Sequence, residues 1–207
     1  MQAIYILDIK DVEKNEREIV PFLDEGALLK ADGFSDKEDK LRALGGALLT
    51  KAFTVKSPIK YNENGKPIKS SPPFFNVSHS GGKIGIYISD DYDVGFDIQR
   101  IAGYNEKLKN YAFSGEKAGI DSDADFAVFW TMKEAAIKCL GGSVASIKDY
   151  SLSEIKEDCF IFRGKKLYYK SRLSGEYAFT ACSIKAVKAE FLDISVDFAL
   201  KTLAIKS

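Results

Sequence analysis

Asp123-Ala124-Asp125-Phe126-Ala127-Val128-Phe129-Trp130-Thr131-Met132-Lys133-Glu134-Ala135-Ala136-Ile137-Lys138-Cys139-Leu140 carries the strongest helical signal in the chain. Phe126, Phe129, Trp130, Ala136 and Ile137 recur three or four apart, and Gly141-Gly142 stops the pattern. Upstream, the apolar, β-branched run over 3–9 predicts a strand, and 13–22 and 24–30 read as helical. Ser35 and Glu38 have capping-box spacing before Leu41, Leu44, Leu48 and Leu49, which predicts a second amphipathic helix over 37–53. Residues 62–67 are turn chemistry. Residues 74–78, 83–89 and 94–98 then read as strands, and 105–112 and 116–120 as helices. Downstream of the central helix, 150–154, 159–162, 166–169, 177–183 and 190–197 read as strands of an antiparallel sheet. Each half is thus helix-rich with a small sheet, an α+β arrangement of two lobes, 1–99 and 100–207.

The composition narrows the functional classes. The chain has 207 residues, 45% hydrophobic and 29% charged, as in ordinary folded proteins. Lys+Arg number 30 and Asp+Glu 30, which argues against a strongly basic nucleic-acid binder. No apolar run approaches the ~20 residues of a membrane span, and the first residues lack the positive segment of a signal peptide. Cys139, Cys159 and Cys182 are odd in number and widely spaced, which fits free thiols in a reducing cytoplasm.

Three clusters carry chemistry. Phe75-Asn76-Val77-Ser78-His79-Ser80-Gly81-Gly82 is a strand running into a polar, glycine-ended turn, where backbone N–H groups and hydroxyls can approach a phosphate. His79 reads either as an ordinary hydrogen-bonded imidazole or as an anion contact. In Gly95-Phe96-Asp97-Ile98-Gln99-Arg100, alternation puts Asp97 and Gln99 on one face and Phe96 and Ile98 on the other. Asp97 either caps the next loop or is a Mg²⁺ ligand beside the Gln99 oxygen. Trp130, Glu134 and Lys138 share one helix face at four-residue spacing. The alternatives are a surface ion pair and a metal site beside a phosphate. No P-loop or dinucleotide fingerprint is present, so a phosphate ester would be bound without those folds.

Taken in this order, the clusters resemble the Sfp-type 4′-phosphopantetheinyl transferase family, whose pattern runs N-x-S-H-S, then G-x-D-[IV]-E, then W-[ST]-x-K-E-[AS]-x-x-K. Here these are Asn76–Ser80, Gly95–Gln99 and Trp130–Lys138. Arg42 and Gly46 look like the family's R-x-x-x-G helix, and Gly65-Lys66-Pro67 like a further element. The resemblance implies two similar α+β lobes in pseudo-two-fold arrangement, with coenzyme A in the cleft between them. It implies transfer of the 4′-phosphopantetheine arm of coenzyme A to a Ser hydroxyl of an apo acyl or peptidyl carrier protein, releasing 3′,5′-ADP. By matched position, Asp97, Gln99 and Glu134 would hold Mg²⁺, and Lys138 would neutralise or protonate the leaving phosphate oxygen. Ser78, His79 and Arg42 would contact the 3′-phosphate, with Lys66 and Lys30 adding to that end. Glu116 is the candidate general base.

The chain departs from the family's pattern at three places. Gln99 stands where the family has Glu, Glu116 sits one residue early in Phe113-Ser114-Gly115-Glu116, and the helix ends in Gly141-Gly142-Ser143-Val144. Gln99 and Glu116 keep open an alternative, a degenerate relative that binds a carrier or coenzyme A without transfer. Lys107, Lys109 and Lys117, with Tyr111 and Phe113, would supply a carrier-docking surface or an ordinary solvated helix face. A monomer would suffice, with no nucleic acid or membrane as partner, and the carrier could serve fatty-acid, polyketide or nonribosomal-peptide synthesis.

Overall fold

A computed structural model describes residues 1–54, 60–61, 67–68, 71–104, 106–113 and 119–206. The chain opens with β1 (Gln2–Asp8), α1 (Ile9–Lys14), α2 (Glu16–Ile19), a 3₁₀ turn (Val20–Phe22), α3 (Glu25–Asp32) and α4 (Lys37–Thr54). Next come β2 (Lys60–Tyr61), β3 (Pro67–Ile68), β4 (Phe74–Ser80), β5 (Lys83–Ser89) and β6 (Val94–Arg100). Then follow α5 (Glu106–Phe113), α6 (Asp123–Cys139), a 3₁₀ segment (Val144–Asp149) and β7 (Leu152–Ser153). The chain continues through β8 (Cys159–Phe162), β9 (Lys165–Ser174), β10 (Tyr177–Ser183), β11 (Phe191–Ile194) and α7 (Val196–Lys206).

The α+β class and the two similar lobes expected from the resemblance are what the topology contains. One sheet has the order β11-β1-β5-β4 and the other β6-β10-β9-β8-β7. Within them the order strand–helix–strand–strand occurs twice, as β1-α4-β4-β5 and as β6-α6-β9-β10. In each, the first strand pairs antiparallel with the last, and the last with the third. Helix α4 covers the first sheet with Leu41, Leu44, Leu48 and Leu49, all buried. Helix α6 covers the second with Met132, Ala135, Ala136 and Ile137.

Sheet membership does not follow a division at 99/100. Strand β6 already belongs to the second sheet, and β11 and α7 return to the first, β11 running parallel to β1. Only part of the expected strand over 190–197 is strand. Ser195 ends it by accepting the Phe198 N–H at 3.2 Å, a helix N-cap, and α7 follows. Ala199 and Leu203 of α7 are buried in the first core. Gly119 and Ile120 are not helical; the rest of the expected helix over 116–120 lies outside the described residues, as does most of the 62–67 turn.

The lobes meet where β4, an edge of the first sheet, lies beside β6, an edge of the second. Side chains rather than a backbone ladder join them. Asn76 Oδ1 accepts from the Phe96 N–H at 2.9 Å, Ser78 Oγ from Ile98 at 3.2 Å, and Ser80 Oγ from Arg100 at 3.0 Å. Alternate polar residues of one strand thus satisfy alternate edge N–H groups of the other. Val77 and His79 alternate to the opposite face.

Candidate active site

The site is built on this seam. Helix α6 presses directly on β6 at Gly95, where an added Cβ would stand 1.9 Å from the Ala135 carbonyl oxygen and 2.5 Å from the Cys139 nitrogen. The glycine of the G-x-D pattern is therefore a packing requirement. Two residues on, by strand alternation, Asp97 faces the same helix. Glu134 and Lys138, one turn apart on α6, meet it there.

Lys138 Nζ donates to Asp97 Oδ1 and pairs with Glu134 Oε2 at 3.0 Å. Ser78 Oγ, held by the Ile98 N–H, donates to Asp97 Oδ1 at 2.9 Å. Asp97 is 3% exposed, and its Oδ2 is buried with no hydrogen-bond partner among the described residues. Burial raises the Asp97 pKa to about 7, opposed by the Lys138 charge and increased by Glu134. Burial also disfavours the charge on Lys138, but the two carboxylates more than offset it and hold its pKa above the ordinary lysine value. The directions are compatible: Lys138 has two anionic partners, whereas Asp97 has one cation and a like-charged neighbour.

Behind this cluster, Thr180 is the cross-strand partner of Asp97, and its hydroxyl contacts those of Thr131 and Ser171, each at 2.8 Å. To one side, Tyr104 donates to the Arg100 carbonyl at 3.1 Å. Burial raises its phenol pKa, a contact with Gln99 opposes this, and Asp123, Asp97 and Glu134 add to the rise. The Tyr104 side of the site therefore lies within the field of the two carboxylates.

The other sequence-predicted residues distribute as follows. Arg42, on α4, donates to the Gly81 carbonyl at 2.9 Å while paired with Glu38 at 3.1 Å and Asp39 at 2.8 Å. The neighbouring Gly82 N–H donates to the Tyr177 hydroxyl at 2.9 Å, so the polar turn is held from both lobes. His79 is exposed beside this turn. Desolvation of its protein-facing side, then the positive charges of Arg42 and Lys138, lower its pKa, with Asp39 opposing and Lys30 adding a smaller push. Lys30, Arg42, His79 and Lys138 thus act on one electrostatic neighbourhood. Lys30 itself is exposed on α3. Ser78 is buried, and its hydroxyl donates to Asp97 Oδ1 and accepts from the Ile98 N–H. Gln99 is half-buried and donates to the Arg100 carbonyl at 3.2 Å. Lys66 and Glu116 lie outside the described residues, as does Lys117. Of the expected docking lysines, Lys109 is engaged within the protein, donating to the Ile120 carbonyl at 2.7 Å, and Lys107 is exposed. Tyr111 is exposed, whereas Phe113 is buried.

Sequence reasoning overlooked Lys133. It is 0% exposed, donates to the Ala112 carbonyl and lies 4.7 Å from the centre of the Phe113 ring. The signal was available: Phe129, Trp130, Ala136 and Ile137, its neighbours three or four residues away on the helix, are all apolar.

The oxygen donors suit a hard divalent cation. The buried, unpartnered Oδ2 of Asp97 is the atom that asks for one, with Glu134 across the cluster. No group of three or more His, Cys, Asp or Glu side chains gathers into a metal cluster among the described residues. Any such cation would rest on two carboxylates plus neutral or substrate oxygens.

Comparison with known proteins agrees with the family resemblance. Residues 93–182 match the 4′-phosphopantetheinyl transferase superfamily model, a span that holds Asp97, Glu134 and Lys138. The chain is 39% identical over 114 residues to the 4′-phosphopantetheinyl transferase AcpT of Salmonella typhi, covering 50% of this chain and 59% of that protein. It is 27% identical over 167 residues to the 4′-phosphopantetheinyl transferase gsp of Aneurinibacillus migulanus, covering 71% and 70%. It is 29% identical over 169 residues to the 4′-phosphopantetheinyl transferase psf-1 of Bacillus pumilus, covering 73% and 72%. The matched stretch thus spans less than two thirds of AcpT.

Proposed function

We propose that the chain is a 4′-phosphopantetheinyl transferase, as its superfamily match over residues 93–182 supports, and that it moves the phosphopantetheine arm of coenzyme A onto a serine of an apo carrier protein, with Mg²⁺ and with release of 3′,5′-ADP. The observation that carries this reading is the Asp97–Glu134–Lys138 cluster on the seam between the lobes, with Asp97 buried and one of its carboxylate oxygens unpartnered among the described residues. A buried carboxylate with a like-charged neighbour and an oxygen left without a partner is costly unless a ligand uses it.

Asp97 Oδ2 and Glu134 would hold Mg²⁺, with the Gln99 side-chain oxygen as a neutral contributor if it turns from its present partner. Bound there, the ion would neutralise charge on the pyrophosphate. Transfer to the serine needs in-line placement and charge stabilisation more than covalent help. Lys138, held protonated by its two carboxylates, supplies positive charge at the leaving phosphate oxygen and can donate a proton there. Ser78 fixes the orientation of Asp97 by occupying Oδ1, which leaves Oδ2 for the cation. On the first lobe, Arg42, His79 and Lys30 form the positive side that would take the 3′-phosphate, with Lys66 as a further candidate. Arg42 would have to share its guanidinium with Glu38 and Asp39. Glu116 remains the candidate base for the serine proton. Three buried cysteine thiols outside any disulfide suit a reducing compartment, and no described helix is long and apolar enough to cross a membrane. One chain supplies both lobes, so a monomer would suffice.

The test is intact-mass spectrometry of apo carrier proteins incubated with the purified protein, coenzyme A and Mg²⁺. A gain of one phosphopantetheine, abolished by chelator and by Asp97→Asn, is expected. No gain on any carrier type, with coenzyme A still bound by calorimetry, would refute transfer and favour the binding-only alternative.

A further inference from the structure

We propose that Lys133 is a positioning residue for the acceptor side of the reaction: it clamps the end of α5 to α6 and so sets where the carrier serine can enter. The inference deepens the transfer reading and rests on it.

The contact is unusual in its charge. Ala112 and Phe113 are the last two residues of α5, a helix of eight residues with an acid in its first turn and no basic residue in its last. Such a helix is too short to be stable by itself, and its final carbonyls lack partners within the helix. Its C-terminal end carries partial negative charge, which a cation stabilises. Here that cation comes from another helix. Lys133 Nζ donates to the Ala112 carbonyl while lying over the Phe113 ring, and Phe113 packs edge-on against Phe126 at 5.5 Å and Phe129 at 6.3 Å. A fully buried ammonium is costly, and an aliphatic side chain would fill the same space without that cost. What the ammonium adds is direction: it fixes the end of α5 relative to one stretch of α6.

That stretch is the reaction site. Glu134 is the next residue, so one turn of α6 points one side chain at the cluster with Asp97 and Lys138 and the other at α5. Arg42, His79 and Lys30, the groups suited to the 3′-phosphate, lie on the first-lobe side of the cluster. An in-line displacement needs the acceptor opposite the leaving group. The α5 side belongs to the second lobe and would take the acceptor. Between the first turns of α5 and α6, a cavity of about 110 Å³ is lined by Tyr104, Glu106, Lys109, Asp123 and Phe126, and Lys107 and Tyr111 of α5 face solvent. A shift of α5 would therefore disturb the acceptor and spare coenzyme A.

The experiment compares wild type with Lys133→Met, which keeps volume and removes charge. Carrier kinetics, coenzyme A affinity by calorimetry and amide hydrogen exchange are measured on each. We expect kcat/KM for the carrier to fall about 30-fold, coenzyme A Kd to stay within about threefold, and amides of α5 to exchange faster than those of β4 and β6. Should Lys133→Met fail to fold, Phe113→Leu, which keeps the charge and the carbonyl contact, should show the same split at about threefold to tenfold. A parallel loss of carrier and coenzyme A parameters in step with the folded fraction would overturn the inference, as would unchanged carrier kinetics. Wild type without any transfer would instead refute the functional reading, and the exchange of α5 would still report on the clamp.

Discussion

Helices α4 and α6 hold equivalent places in the repeated strand–helix–strand–strand order, yet they treat charge oppositely. The buried residues of α4 are Leu41, Leu44, Gly45, Leu48, Leu49, Ala52, Phe53 and Thr54, with no charged side chain among them. Those of α6 include Lys133 and Thr131, with Glu134 and Lys138 only 14% and 21% exposed. One helix packs its sheet as an ordinary core element does. The other gives up part of that stabilisation to keep a carboxylate and two ammonium groups out of water. Similar topology with divergent burial separates a lobe that packs as scaffold from the lobe that carries most of the candidate site.

The sharpest way to break this comparison is at its glycines. Gly95→Ala puts a methyl group into the backbone of α6 and should cost about 3 kcal/mol or more of stability by denaturant unfolding. Gly46→Ala on α4 meets only Val77 Cγ1, at 3.7 Å, and should be neutral or stabilise by up to about 1 kcal/mol. Equal effects at the two positions would contradict the close backbone approach of α6 to β6 at Gly95. Next in size, Lys138→Met leaves Asp97 and Glu134 buried without their cation and should destabilise by about 3 kcal/mol at pH 7. The loss should shrink in acid, where the carboxylates take up protons, and a loss that does not depend on pH would contradict the ion-pair account.

Smaller effects sharpen the contrast on the anion side. Desolvation and the Arg42 and Lys138 charges lower the His79 pKa from its ordinary value, which favours the neutral ring. A bound phosphate favours the imidazolium, so coenzyme A should bind more tightly as pH falls through that pKa. The ligand phosphate titrates in the opposite sense. The His79 contribution is therefore the difference between wild type and His79→Asn in calorimetric Kd measured from pH 7.5 to pH 5.5, about threefold to tenfold. Identical profiles would remove His79 from the anion site. The smallest change is Gln99→Glu, which adds an anionic oxygen near the cluster and should lower the Mg²⁺ concentration for half-maximal transfer about threefold. A higher requirement would mean that position 99 does not face the cation.

Much of this arrangement was legible in residue order. The spacing of Glu134 and Lys138 placed both on one helical face, and alternation put Asp97 on the face away from Phe96 and Ile98, the face that meets Lys138 in the fold. The exceptions have physical causes. In 190–197 the β-branched and aromatic residues mask Ser195, whose side chain ends the strand and starts α7 by a local hydrogen bond. Parallel pairing of β11 with β1 joins residues nearly the whole chain apart, and no local pattern reports it. The motif matches Ser78 to a phosphate contact but does not report its hydrogen bonds to Asp97 and the Ile98 N–H, because they join the edges of two different sheets. Lys133 reads as a surface residue by type, and only the apolar residues around it on the helix reveal burial.

The account stands on the buried cluster as the reaction centre, and the most direct test is the single-turnover rate of carrier modification by Glu134→Gln with coenzyme A and Mg²⁺ in excess. The expected fall is about 100-fold or more, with coenzyme A affinity changed less than about tenfold. Transfer by Glu134→Gln at the wild-type rate would contradict it.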